Sequence, residues 1–330
     1  MMQENSLGRS MAHPLTGSVA PALIVAVFAA AFMTPGLLGN YEVEIAYRLM
    51  LYICLAEAWN LLAGYGGLVS LGSAAFVGVG AYAFTSALNA FGVPPIVGLL
   101  LAGLAGGVFA VLVSPAVFRM RGLYFTVGTL ALGEALRLFM VNVPWFGGSR
   151  GLFLDADFPS REALFWWALG LLALSQFLIT VYTRTRLSII LRSVRDDEDA
   201  AAQLGVRIYR VKLVAFVVAS MLMGMGGGLQ AYKLGAVEPY GMFGLPWSID
   251  ILSMVVIGGL GLRYGALVGA FFVITLAELL ADYPEAHIVV TGLVLALVVR
   301  FAPRGVCGLV IDNWKRRRSE TRGSEREVQP

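Results

Sequence analysis

Lysine is nearly absent from this chain, which has only Lys212, Lys233 and Lys315 in 330 residues. An ATP-hydrolysing P-loop, G-x-x-x-x-G-K-[ST], needs a lysine directly after glycine to reach the phosphates. None of the three follows glycine, so the chain is not its own ATPase of that type. Cysteine is equally scarce: Cys54 lies in an apolar run and Cys307 near the C-terminus, a pair that sets up no disulfide framework. The two histidines, His13 and His287, have no cysteine near them and suggest no metal site. No Ser, His or Cys constellation points to an enzyme, and no cofactor is expected. Charge as a whole is short, at 14% of residues, where soluble domains carry roughly 25%.

Hydrophobic side chains fill the gap, at 58% of the sequence. Several apolar runs reach the roughly 20 residues that a helix needs to cross a hydrocarbon core about 30 Å thick. Turn signals divide them into spans near 17–38, 45–63, 70–90, 95–118, 122–142, 163–183, 213–232, 247–262, 264–281 and 286–302. The sequence therefore predicts an all-α membrane protein, a polytopic bundle of about ten transmembrane helices. Membrane β-strands would alternate apolar and polar residues, and these runs do not. GGLGLRYGA, between the eighth and ninth spans, fits either a surface turn or a re-entrant break. The first run is too long for a signal h-region and no cleavage site follows it, so a retained helix is expected.

Basic residues orient the bundle. With the N-terminus in the cytoplasm, Arg9, Arg119, Arg121, the seven basic residues from Arg184 to Lys212, Arg263, Arg300, Arg304 and the KRRR at 315–318 all fall inside. The opposite loops hold little more than Arg150, Arg161 and Lys233, with the acidic YEVE and ADYPEA beside them. The expected organisation is a cytoplasmic segment 1–16, a transmembrane domain 17–302 with an internal loop 184–212, and a basic cytoplasmic tail 303–330. KRRR reads as a topology anchor on anionic lipid, and no nucleic-acid partner is implied.

Ionisable residues inside the spans are few. Glu134 and Arg137, in TLALGEALRLF, share one helix face and can neutralise each other. Glu57, Asp250 and Glu278 have no oppositely charged residue one helical turn away. Glu134, Arg137, Asp250 and Glu278 are candidates either for a transport pathway or for ties between helices, and a proton- or sodium-driven secondary transporter would use such carboxylates as relays. The 39 glycines cluster in runs such as VGVGAY, LAGLAGGVFA and MGMGGGL, which let helix backbones approach closely. GYGGLVSLG, at 64–72, is the best candidate for a broken helix. The GGL runs at 66–68 and 258–260 hint at duplicated halves.

The segment RSVRDDEDAAAQLGVRIYRVK, at 192–212, is a charged island in this apolar chain. From Asp196 onward it has acids first, then Ala-Ala-Ala-Gln-Leu, then Gly205, the order of a short helix with an anionic start and a glycine stop. Two or three turns are marginal in water alone, so this helix is expected to lean on its own bundle or on another protein.

DAAAQLG, from Asp199 to Gly205, resembles the E-A-A-x-x-x-G pattern of ABC-importer permeases, with Asp in place of Glu. The surrounding sequence is similar to the LivM-type branched-chain amino acid permease family, as are NLLAGYGGLVSLGSAAFVGVGAYAFTSAL, RGLYFTVGTLALGEALRLF with GGSRGL, SIDILSMVVIGGLGLRYGALVGA and FAPRGVCGL. The resemblance covers most of 45–310; FGGSRGL lacks the expected Thr, and GLRYGA replaces a GxxWGP. It implies a type II ABC importer-like permease in a bacterial inner membrane, working with two ABC ATPase subunits, a second related permease and a periplasmic substrate-binding protein. The missing P-loop is then supplied by partner chains. Under the same resemblance, Arg195, Asp196, Asp199, Ala200, Ala201 and Gly205 form the contact that couples ATPase movement to the spans. Related permeases are thought to carry urea, short amides or aromatic acids as well as Leu, Ile and Val.

Overall fold

The computed structural model describes residues 39–155, 158–281, 284–302 and 305–308. The expected first span, the segment 1–16, and most of the basic tail lie outside them. The described residues form an α-helical bundle. Its helices are α1 (Asn40–Asn60), α2 (Ser73–Phe91), α3 (Pro95–Val117), α4 (Leu123–Asn142), α5 (Arg161–Arg184), α6 (Arg186–Asp196), α7 (Glu198–Gln203), α8 (Ile208–Leu234), α9 (Pro239–Met242), α10 (Leu245–Gly258), α11 (Gly265–Leu279) and α12 (Pro284–Phe301). Nine expected spans fall on α1 to α5, α8 and α10 to α12. Eight described helices or helix pairs are long and apolar enough to cross a membrane. The exception is α11, whose 15 residues cover about 22 Å at about 1.5 Å per residue.

Glycine sets how closely the helices pack. A Cβ on Gly224 of α8 would stand 2.5 Å from the Ala102 carbonyl oxygen of α3, and one on Gly106 of α3 would stand 2.5 Å from that of Ser220 on α8. A Cβ on Gly80 of α2 would run into the Gly224 carbonyl oxygen, so three helices meet backbone to backbone. A second seam joins α10 to α11, where Gly258 and Gly269 leave room for the carbonyls of Gly265 and Met254. Phe76, Phe84, Phe216, Leu51, Leu55 and Trp59 are among the largest side chains fully buried in the bundle.

The GYGGLVSLG segment is a true interruption. α1 ends in a π-helical turn, Leu61–Tyr65, and α2 begins only at Ser73. Irregular backbone buried in a membrane bundle must find hydrogen-bond partners. Trp59 Nε1 donates to Ser70 O at 2.7 Å, Thr126 Oγ1 to Val69 O at 2.8 Å, and the backbone N–H groups of Leu71 and Ala74 to Thr129 Oγ1 and Ser248 Oγ at 3.1 Å. GGLGLRYGA is a turn between two helices, with Gly259 and Gly261 at positive φ.

At the end of the bundle away from the island, a two-stranded pair, β1 (Leu152–Phe153) and β2 (Ala236–Val237), runs antiparallel with Leu152 opposite Val237. Lys233 pairs there with Glu44 and lies 4.9 Å from the centroid of the Tyr47 ring.

Candidate functional site

The charged island folds as two helices rather than one. Asp196 closes α6, and Asp197, in extended conformation, caps α7: its side chain accepts from Ala200 N at 2.9 Å. This is the N-cap arrangement that satisfies an orphan amide of the first turn. The other end closes as the glycine predicts. Gly205 sits at φ 82°, Gly205 N donates to Ala202 O at 2.9 Å, and Val206 N donates to Ala201 O at 3.1 Å. Those two bonds make a Schellman cap, for which the left-handed residue is usually glycine.

The protein's own body anchors both helices. α6 lies on the π-helical turn and the glycines after it: the fully buried Leu191 covers Gly66, and the Arg192 guanidinium stands 4.6 Å from the Tyr65 ring centroid. Arg195 turns inward, donating from Nη1 to Gly64 O at 2.7 Å while its Nε and Nη2 hold Asp196 at 2.9 and 2.8 Å. α7 is tied at its acidic start. Lys212, at the root of α8, bonds Glu198 at 2.8 Å, and Arg121, between α3 and α4, reaches Asp199 at 3.3 Å. Exposed ion pairs such as the Arg121 pair stabilise little on their own. The pair with Lys212 is better placed, since the Lys212 side chain is buried.

The six residues expected at a coupling contact therefore separate. Arg195 and Asp196 form a pair that holds α6, and Ala201 is buried, its small side chain letting α7 lie close to α8. Asp199, Ala200 and Gly205 are exposed, as are Arg195 and Asp196, so Ala201 alone of the six is buried. Beside them stands Leu204, 86% exposed, which reasoning on charge and small residues overlooked. It was legible only as an apolar residue in a charged island.

Two glycine runs that are distant in sequence meet beneath the island. The Asn60 side chain, buried at the end of α1, donates to Leu262 O at 3.0 Å and accepts from Gly261 N at 2.8 Å. A Cβ on Gly64 would stand 2.5 Å from Gly261 N. Asn60 thus ties the π-helical turn to the α10–α11 turn, directly under Arg195. Asn60→Ala would orphan two backbone groups, at about 1–3 kcal/mol for each that stays buried. The purified variant is expected to melt several degrees below the unaltered protein in detergent; an unchanged melting temperature would show that the tie is dispensable.

The intramembrane charges are dispersed. Asp250 of α10 accepts from Tyr52 of α1 at 3.5 Å, and Glu278 of α11 accepts from the Tyr41 hydroxyl. Glu57 is buried in α1, with one carboxylate oxygen lacking a hydrogen-bond partner among the described residues. Glu134 and Arg137 pair on α4. That helix buries only Phe125, Thr129, Gly133 and Met140, a stripe along one side. Glu134 points away from this stripe and is 53% exposed. At a helix centre in lipid each charge costs on the order of 2.5–3.5 kcal/mol.

A polytopic bundle with buried irregular breaks, glycine-packed spans and one capped surface helix defines a helical membrane protein. The family model described as "Branched-chain amino acid transport system / permease component" matches residues 41–299. The chain belongs to that family. It is 28% identical to the high-affinity branched-chain amino acid transport system permease protein LivM of Salmonella typhimurium, over 92% of this chain and 78% of that protein. It is 27% identical to LivH of the same organism, over 51% of this chain and 54% of LivH. Similarity extends to the autoinducer 2 import system permease protein LsrC of Escherichia coli O157:H7, 27% identical over 85% of this chain and 86% of LsrC. No solved structure matches the chain.

Proposed function

We propose that this chain is the permease subunit of an ABC importer in a bacterial inner membrane, moving leucine, isoleucine and valine into the cytoplasm. In this reading both termini and the island face the cytoplasm, an orientation that the arginine distribution supports. Two ATPase subunits supply the energy, a second related permease completes the pathway, and a periplasmic binding protein delivers the substrate.

The observation that carries this proposal is α7: a short helix capped at both ends, anchored through Lys212, Arg121 and Asp197, with Ala200 and Leu204 presented outward. Six residues do not hold a helix in water by themselves, so its construction suits a rigid knob seated in another protein. An ATPase that closes on ATP would push that knob, and the push would pass through α6 to the π-helical turn and the glycine turns that Arg195 and Asn60 join.

The proposal is tested by uptake into sealed proteoliposomes holding the whole complex. Leucine should accumulate only with ATP inside the compartment that contains the ATPases. Accumulation driven by a proton or sodium gradient without those subunits would instead make the chain a secondary transporter. The similarity to LsrC favours a second reading within the importer class, in which the cargo is autoinducer 2. Stimulation of the ATPase by that ligand, with none by leucine, would select it.

A further inference from the structure

Other uncovered spans present hydrocarbon to their surroundings. α3 is open along Leu100, Leu104, Val108 and Leu112, and α12 along Leu293 and Leu297. α4 is different, because the open side that carries Val127 and Leu138 also carries Glu134. Glu134 lies about 16 Å along the helix from its start, at about 1.5 Å per residue, near the middle of a core about 30 Å thick. Ala131 and Ala135, both exposed, leave space beside its carboxylate. Lipid does not solvate such a group, so this side of α4 meets something polar.

The pair keeps unused hydrogen-bonding capacity of both signs, in the Glu134 lone pairs and in one guanidinium nitrogen. Arg137 donates from Nε to Glu134 Oε2 at 2.9 Å and from Nη2 to Oε1. The face of its guanidinium is covered by Tyr240 of α9, 4.6 Å from the ring centroid. Its Nη1 has no acceptor among the described residues and is closed off from the surroundings, so a carboxylate reaches it only when the Tyr240 ring, 58% exposed, swings aside. A guanidinium with a spare donor edge accepts a carboxylate, and a carboxylate with spare lone pairs accepts an ammonium.

We propose that Glu134 and Arg137 form a subsite for a zwitterion, taking the α-ammonium and α-carboxylate of an amino acid on its way along α4. This rests on the proposed function above, in which the cargo is an amino acid. A neutral ion pair adds no net charge to the pathway, yet it offers each end of a zwitterion its opposite. A molecule with only one charge gains one contact and meets repulsion at the other. The aliphatic side chain would be left to the apolar wall, where Val127 and Leu138 are exposed.

The test measures radiolabelled leucine uptake into proteoliposomes of the full complex, scored per complex eluting as a single species. Glu134→Gln and Arg137→Gln are each expected to lower uptake ten-fold or more. The decisive variant is the exchange of the two charges, Glu134→Arg with Arg137→Glu, which keeps an ion pair on the same face. If the pair only braces the helix, the exchange restores uptake to within two-fold of the unaltered complex, and the subsite is overturned. If the pair reads the substrate in one orientation, uptake stays as low as in the single variants. Should the exchange fail to assemble, the isosteric Glu134→Gln decides: uptake within two-fold of normal overturns the subsite. These results are distinct from failure of the proposed function, in which the unaltered complex imports an uncharged solute and none of leucine, isoleucine or valine. That outcome would remove the zwitterion and the subsite with it.

Discussion

Gly224→Leu is expected to lower the amount of folded permease in the membrane several-fold. The missing side chain at this position is what allows α2, α3 and α8 to meet, with the Ala102 carbonyl oxygen 2.5 Å from where a Cβ would be and the Gly80 backbone packed on the other side. Neither neighbour is a side chain that can swing away. Both are main chain in the middle of long helices, so the helices must part. Overpacking a core typically costs about 1–3 kcal/mol. A seam shared by three helices belongs at or above the top of that range, which lowers the folded-to-unfolded ratio by roughly a hundred-fold, and losses of this size lower the amount of protein that survives quality control at least several-fold. Size-exclusion profiles from solubilised membranes measure this directly. Gly170→Leu on α5 is the matched control, because nothing stands within 4 Å of a Cβ at that position. A normal profile for Gly224→Leu would mean that the three helices do not pack as described.

Leu204→Lys is expected to leave the permease folded and to abolish transport. Leu204 is 86% exposed at the end of α7, so the change takes nothing from the protein's own core. A cation at a helix C-terminus is also favourable to the helix itself. The loss would come from the partner. An apolar side chain seated in a groove would become an ammonium that must be desolvated without a counter-charge, and such central anchors commonly account for 2 kcal/mol or more of binding. Co-purification of the ATPase subunits should fall more than ten-fold, and leucine uptake with it, while the melting temperature of the isolated permease stays unchanged. Full co-purification and normal uptake would place the ATPase contact elsewhere.

Much of the bundle was legible in sequence because hydrocarbon imposes simple rules. Apolar runs of about 20 residues separated by Gly, Pro and charge marked nine spans within a few residues of the observed helices, and Gly205 marked the end of α7. The acids before DAAAQLG correctly announced a helix start, but composition did not show which acid would cap it. That depended on the backbone turning extended at Asp197, which splits the island into α6 and α7. Likewise, the family resemblance offered Arg195 and Ala201 as contact residues, and it carried no information on what each touches within its own chain. The fold turned Arg195 onto the Gly64 carbonyl and Ala201 toward the protein interior.

By itself, the sequence determined that this protein crosses the membrane many times, that it carries no ATP-binding loop of the P-loop type, and that a short capped helix stands among its charges. Each of these follows from local composition and spacing, which act over a few turns of chain. Only the tertiary structure decided what lies beneath that helix. The buried amide of Asn60 joins two glycine turns some 200 residues apart, and α4 leaves one charged pair on an open side. Such juxtapositions depend on which helices cross and how closely. In this protein, backbone contacts at glycines far apart in the chain set that spacing, and no local pattern records the partner that each glycine will meet.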